Sequence, residues 1–265
     1  MAGGGLRGAL GIASLVLIGG ALVLMFFVVL SGVKDTTPLN KSWFLRVDTS
    51  SLPSAGRAQS YFTYWKVCAT GGGQCGSTIP AIPLGAIWRG ETQAVPAGLV
   101  GNHYHGTTSS YYYYLWRFGW VFYLMSITLT GLTFITSLLA PCSRLASGVS
   151  GLLLAFSLFW FSLAASLMTA VFVKTRDEFK SAGIDAVIGR YAFGFTWGAW
   201  AAMFIATVFL FLGCGVSRKN DDNVRTKRSG GGMGNIPFFR RQRSRRSTRG
   251  SFIDNESQRR VKEEY

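Results

Sequence analysis

The chain has 265 residues, 49% of them hydrophobic, and a formal net charge of +15. The charge is uneven, because residues 217–265 hold 14 Lys or Arg against 6 Asp or Glu. This composition excludes a single soluble globular domain. It indicates an apolar, membrane-embedded part followed by a tail that is too polar and too rich in Gly, Ser and Arg to bury a core.

Four long stretches without a charged residue follow one another along the chain. They cover residues 8–33, 118–140, 145–173 and 191–216. Each is as long as the roughly 20 apolar residues that a helix needs to cross a bilayer, and a charge at mid-bilayer is expensive. The sequence therefore predicts an all-α transmembrane four-helix bundle.

The remaining segments alternate between the two sides of the membrane. We predict a short cytosolic N-terminus (1–7), an extracellular loop (34–117), a cytosolic turn (141–144), a second extracellular loop (174–190) and a disordered basic cytosolic tail (217–265). The first stretch is longer than the 7–15 residues of a cleaved signal and is interpreted as a signal-anchor. The Arg-rich tail is costly to translocate, so both termini are predicted to be cytosolic, although the basic residues of the second outer loop favour the opposite orientation.

The first outer loop contains a candidate hairpin. Residues 61–68 are rich in strand formers, and the glycines at 71–73 would turn the chain back towards Cys75. We predict a small β-containing region closed by a Cys68–Cys75 disulfide, which would stabilise it by about 2–3 kcal/mol. Two free thiols are the alternative, and a zinc site would need two further well-spaced ligands.

Other features of the outer loop are less specific. His103 and His105 could reach one metal ion, or could be an exposed loop pair, and no metal or cofactor is predicted. Asn40-Lys41-Ser42 is an N-glycosylation sequon close to the first span, and its use is left open. The aromatic residues at 111–114, 116 and 120 are predicted to lie at the outer membrane interface.

Small residues recur every four positions on the fourth span. Gly194, Gly198, Ala202 and Ala206 would allow another helix to pack closely, either from the protein itself or from a second copy in a homo-oligomer. No charged residue or His lies deep in a span, which argues against a proton-coupled transporter or ion pump. No catalytic motif is evident, so no enzymatic activity and no catalytic residue are predicted.

The tail contains a dense basic run, made of Arg240, Arg241, Arg243, Arg245, Arg246 and Arg249. Each such residue near an anionic membrane surface contributes about 1 kcal/mol, so the predicted partner is inner-leaflet lipid. Phosphorylation of Ser244, Ser247, Thr248 and Ser251 would oppose this attraction. The alternative is a disordered tail whose charge sets the topology, and the membrane tether argues against nucleic acid.

Two further cysteines, Cys142 and Cys214, lie at the predicted inner edges of spans and are candidates for palmitoylation.

Three segments in order carry a resemblance to a known family. They are residues 39–50 with Trp43, residues 64–68 with Trp65, Cys68 and the later Cys75, and residues 172–197. With the four spans, they make residues 8–216 resemble the fungal Sur-seven/PalI-type family of eisosome-associated four-span plasma-membrane proteins, which is claudin-like in outline.

This resemblance implies a non-enzymatic organiser of eisosome-type cortical patches, which supports membrane compartments, cell-wall and cortex organisation and stress tolerance. It implies other patch proteins as partners and structural roles for Trp65, Cys68 and Cys75. The alternative within the family is a sensor in ambient-pH or cell-wall signalling. A claudin-like adhesion protein and a transporter are weaker rivals.

Overall fold

The computed structural model describes residues 2–34, 36–37, 39–52, 55–70, 75–88, 90, 92–139 and 144–228, and the side chains that it describes lie between residues 8 and 213. The chain divides into a compact unit over Met1–Val224 and a second unit over Arg225–Tyr265. Its helices are α1 (Ala2–Val29), α2 (Ser110–Ser137), α3 (Arg144–Ser181) and α4 (Arg190–Arg228).

The four helices are long and apolar enough to cross a membrane. The qualifying segments are Gly8–Val29, Ser110–Ser137, Leu145–Ser181 and Arg190–Gly213. They correspond to the four predicted stretches, but the helices do not end where the apolar residues end. Backbone hydrogen bonding continues through polar residues, so α2 begins well before residue 118 and α3 continues well past residue 173.

A four-stranded antiparallel sheet lies at one end of the bundle. Its strands are β1 (Leu45–Asp48), β2 (Gln59–Phe62), β3 (Val67–Cys68) and β4 (Ala186–Ile188), in the order β3-β2-β1-β4. Strand β4 comes from between α3 and α4 and pairs with β1. The segment 174–190, predicted as a plain loop, is therefore the last turns of a helix followed by a sheet strand.

The run at residues 61–68, predicted as the first strand of a hairpin that turns at the glycines 71–73, itself contains a turn. The run is not one strand, since β2 turns back at Thr63–Lys66 and pairs with β3. The Thr63 hydroxyl donates to the Lys66 carbonyl at 2.8 Å and accepts from the Lys66 N–H at 3.2 Å. This side chain closes the turn without Gly or Pro. The glycines at 71–73 lie outside the described residues.

Small and hydroxylated residues bring the helices together. A Cβ on Gly119 of α2 would lie 3.0 Å from the Met168 side chain of α3. Further along the contact between α2 and α3, the hydroxyl groups of Thr130 and Ser157 form a hydrogen bond of 2.8 Å. On the other side of α3, the Trp200 indole N–H of α4 donates to the Ser162 hydroxyl at 2.8 Å. These contacts follow the usual rule that small and weakly polar residues join membrane helices.

Together, the four long apolar helices, the small antiparallel sheet and the Cys68–Cys75 disulfide fit the predicted four-helix claudin-like fold.

Candidate functional site: the head on the end of the bundle

The head is the region formed by residues 31–109 and 182–189, apart from the positions that the structure does not describe. It is joined to the helices by a set of rings, the aromatic cluster, of which Phe193 is half buried and the others are buried: Phe44, Phe62, Tyr64, Trp116, Phe172 and Phe193. Three of its members belong to the head and three to α2, α3 and α4. The head and the bundle therefore share one hydrophobic core.

Phe44 is at the centre of the aromatic cluster and is fully buried. Its ring stacks on Phe172 of α3, with centroids 5.0 Å apart. It meets Trp116 of α2 edge-on at 5.8 Å and Phe193 of α4 edge-on at 5.7 Å. Such pairs stabilise by about 0.5–1.5 kcal/mol beyond the effect of burial, so one side chain before β1 holds three helices.

Hydrogen bonds attach the head to the remaining helix, α1. The Trp65 indole N–H donates to the Val29 carbonyl at 2.6 Å. Within the head, the Tyr64 N–H donates at 3.1 Å to the hydroxyl of Ser31, which follows the end of α1. The last carbonyls of a helix have no partner within the helix, so Trp65 satisfies one of those at the end of α1. The Tyr64 hydroxyl also donates to the Trp120 carbonyl of α2 at 3.0 Å.

Two described groups of the head, Tyr64 and Asp48, have shifted pKa values. Burial raises the pKa of the Tyr64 hydroxyl well above its ordinary value. The Ser50 backbone N–H lowers the pKa of the Asp48 carboxyl, so any stability from that bond is lost as the pH falls through the folded-state pKa. The ion pair of Arg46 with Asp185 is 3.7 Å long and half exposed, which makes its contribution small.

The predicted disulfide is confirmed. Cys68 at the end of β3 is bonded to Cys75, and their Cα atoms are 3.9 Å apart. The two residues also form an isolated antiparallel bridge, which extends the sheet edge beyond β3.

Removing this bond is expected to loosen the head without unfolding it. Because the closed loop is short, the double variant Cys68→Ser, Cys75→Ser should lose about 2–3 kcal/mol of unfolding free energy. The melting temperature of the purified chain in detergent, with and without reducing agent, measures this. The matched control is Cys142→Ser, Cys214→Ser, which should melt like the wild type and still respond to the reductant. An unchanged melting temperature after reduction would contradict the expectation.

Two other predicted residues of the head, Trp43 and His103, pack against aromatic side chains. Trp43 is half buried and meets Tyr61 edge-on at 5.3 Å. His103 packs edge-on against Tyr113 and Tyr114 at the start of α2, with centroids 4.7 and 5.1 Å away. Within the described parts of the chain, no group of three His, Cys, Asp or Glu could hold a metal ion.

The predicted interfacial aromatic residues divide between two faces of α2. Tyr111 and Tyr114 are about half exposed, but Trp116 is 1% exposed and belongs to the aromatic cluster. The prediction was wrong for Tyr112, which is 6% exposed, and for Trp116. Buried positions 112, 116, 119 and 123 follow a helical period, which is the signal that would have placed these rings inside.

The small residues of the fourth span do not form one face. Four-residue steps advance by about 40° around a helix, so the row winds from the surface to the interior. Gly194 is exposed with nothing within 4 Å of a Cβ built on it, while a Cβ on Gly198 would meet Leu24 of α1 at 3.5 Å. Ala206 is fully buried. The row therefore packs within the protein towards Ala206, whereas its first residue, Gly194, lies on the surface.

The described residues of the head line at least two cavities. The larger, of about 400 Å³, is lined by Arg57, Tyr104 and His105 among others. The smaller, of about 240 Å³, lies by the end of α1 and includes Lys34 and Lys41 in its wall.

Arg57 has a structural role that the sequence analysis missed. Its guanidinium donates to the Val67 carbonyl at 2.9 Å and to the Ala86 carbonyl at 3.4 Å. It thereby joins β3 to the 3-10 helix Leu84–Ala86. No local motif marks such a residue, because both acceptors are backbone atoms brought near by the fold.

Several predicted sites cannot be placed. Cys142 and the tail residues lie outside the described part of the chain: Arg240, Arg241, Arg243, Ser244, Arg245, Arg246, Ser247, Thr248, Arg249 and Ser251. Cys214 lies in α4, but its side chain is not among those described. Asn40 is exposed in the 3-10 helix Leu39–Lys41, and its glycosylation stays a prediction.

Comparison with known proteins adds the observation that decides the family. The model of the SUR7/PalI family matches residues 10–209, which include the second and third membrane segments, the head and most of the first and fourth segments. This chain belongs to the SUR7/PalI family. Candida albicans protein SUR7 is 33% identical over 201 residues, covering 76% of this chain and 72% of that protein.

Two Saccharomyces cerevisiae proteins extend the comparison. Protein SUR7 is 26% identical over 203 residues, which cover 75% of this chain and 64% of the relative. The plasma membrane protein YNL194C is 28% identical over 200 residues, or 73% and 62% of the two chains. The matched part thus spans less than two thirds of both S. cerevisiae relatives. The SUR7/PalI match ends before the basic tail.

Proposed function

We propose that this protein is a non-enzymatic organiser of eisosome-type cortical patches in the plasma membrane. The observation that carries the proposal is the single core shared by the head and all four helices, centred on the fully buried Phe44. A head fixed in this way presents one constant shape to neighbouring molecules, which suits an assembly component. Membership of the SUR7/PalI family and the plasma membrane location of a relative support the same role.

We place the head outside the cell and both termini in the cytosol. The Cys68–Cys75 bond supports this orientation, because disulfides persist in oxidising compartments. The basic tail would then lie against anionic inner-leaflet lipid. Liposome binding of the tail peptide, with and without phosphate-mimicking changes at the four hydroxyl positions, tests that contact. Acyl-exchange labelling of Cys142→Ser and Cys214→Ser variants tests palmitoylation.

Lateral contacts through the open face of α4 are the proposed means of assembly. Gly194 allows another helix to approach closely there, since nothing of the described chain lies within 4 Å of its Cβ position. Gly20 of α1 is also exposed and open, which makes it a matched control on another helix.

Imaging of fluorescent variants tests the organiser role. Gly194→Leu should remain at the cell surface but disperse from patches, since the larger side chain blocks close approach. Gly20→Leu should keep the patches. If both variants cluster as the wild type does, the α4 contact is refuted, and if the wild type itself shows no patches, the organiser proposal is refuted.

A sensor is the second candidate, favoured by the larger cavity of the head with Arg57 and His105 in its wall. Truncation after Val216 separates the two roles. A sensor that acts through its tail would lose signalling while patches persist, whereas an organiser that needs inner-leaflet contact would lose patch stability.

A further inference from the structure

The smaller cavity of the head lies where the first span leaves the membrane. Its wall begins just after α1, whose apolar segment ends at Val29, and continues through the 3-10 helix Leu39–Lys41 to the sheet. The Cys68–Cys75 disulfide forms part of the wall. This bond and the sheet fix the shape of the cavity.

The charged residues among the described lining of this cavity have one sign. Lys34 and Lys41 line it and are exposed, and none of its described lining residues is Asp or Glu. A lysine ammonium is a compact point charge with three donors and is a common ligand of phosphate. The Asn40 side chain adds an amide donor at the same wall. These groups favour a phosphate-bearing ligand.

The remaining wall suits a headgroup at the membrane surface. Trp43 and Tyr61 line the cavity and pack edge-on at 5.3 Å, and Trp and Tyr are enriched at headgroup depth. The volume of about 240 Å³ is below the roughly 300–1,000 Å³ of pockets for drug-sized ligands. It would hold a phosphate with a small polyol, while the acyl chains of the same molecule stay in the bilayer beside α1.

We propose that this cavity binds the phosphate headgroup of an anionic lipid from the leaflet at the head end of the bundle, with Lys34 and Lys41 contacting the phosphate. The inference does not depend on the formation of patches, because it concerns a single chain and one lipid. A lipid held there would tie the head to the membrane surface next to α1.

Lipid binding to the purified full-length chain tests the proposal. In detergent micelles, native mass spectrometry would follow the binding of phosphatidylinositol and of phosphatidylcholine with the same acyl chains. We expect phosphatidylinositol to bind roughly tenfold more tightly, and the double variant Lys34→Gln, Lys41→Gln to lose at least that factor. The control Lys180→Gln, Arg190→Gln removes two exposed charges that do not line this cavity, and should bind like the wild type.

Two further measurements make each outcome decisive. A photoreactive phosphatidylinositol headgroup should label the segment 34–43 or Tyr61, and an unchanged melting temperature should show that the Lys34→Gln, Lys41→Gln variant is folded. Equal lipid binding by that variant and the wild type would overturn the proposal, and so would labelling confined to other segments. If inorganic phosphate alone displaces the lipid at a similar concentration, the ligand is a free anion and the lipid assignment is wrong.

Discussion

Replacing Gly189 with Ala is expected to separate β4 from β1 and to lower the free energy of unfolding by about 3 kcal/mol. A Cβ at this position would overlap the Trp43 backbone carbonyl. The obstacle is backbone, so it cannot rotate away as a flexible side chain would. The Gly189 N–H also donates to the Phe44 carbonyl at 3.0 Å, and this bond would be strained at the same time. The apparent melting temperature of the purified chain measures the effect.

Gly194→Ala is the control for this substitution. Gly194 lies in the first turns of α4, shortly after Gly189 in the chain, and a Cβ there meets nothing within 4 Å. Because Ala is a better helix former than Gly by about 1 kcal/mol, this variant should melt at the wild-type temperature or above it. If Gly189→Ala melts like Gly194→Ala, the close contact between β4 and the chain before β1 does not exist.

Replacing Phe44 with Ala is expected to lower the free energy of unfolding by about 3–5 kcal/mol, the usual effect of emptying a buried Phe site. The ring contacts one helix after another, and its loss would leave a cavity between the head and Trp116, Phe172 and Phe193. The melting temperature measures the loss of stability. Limited proteolysis of the chain in membranes, monitored by the cleavage of the head segment, complements it.

An exposed Phe supplies the comparison. Phe118 lies on the surface of α2 and is 54% exposed, so Phe118→Ala should shift the melting temperature little. Phe44→Leu should fall between Phe44→Ala and the wild type, because it keeps part of the volume. A Phe44→Ala variant with wild-type stability and protease resistance would show that the head is not held by the aromatic cluster.

The four helices could be predicted because the membrane acts on each segment locally. A bilayer excludes charge from every span, so the runs without charge mark the helices directly. The disulfide could also be predicted, since Cys68 and Cys75 are the two cysteines within the first outer loop. The helix ends could not be predicted in this way, because α3 continues to Ser181 through charged residues. In that last part of α3, buried Phe179 packs against Trp88 of the head.

The sheet could not be assembled from the sequence, because its pairings are not local. Leu45 lies opposite both Phe62 and Ile188, and the second partner follows three of the four helices. Strand β4 is a three-residue run, too short to show a period of two. The turn between β2 and β3 was missed for a different reason: the Thr63 side chain closes it, and no Gly or Pro marks it.

The small-residue row on the fourth span shows how spacing alone can mislead. A repeat of four residues differs from the helical period of 3.6, so the row turns by about 120° between Gly194 and Ala206. The structure accordingly exposes the first residue and buries the last. Residues seven apart stay closer to one face, and Ala201 is exposed as Gly194 is.

Photobleaching of the living cell surface tests the central claim most directly. The full chain carrying a fluorophore after Tyr265 should form discrete patches at the plasma membrane that recover slowly, because an organiser is held by many lateral and lipid contacts. A uniform signal that recovers as quickly as a freely diffusing four-span protein would contradict the organiser role and leave the sensor as the better account.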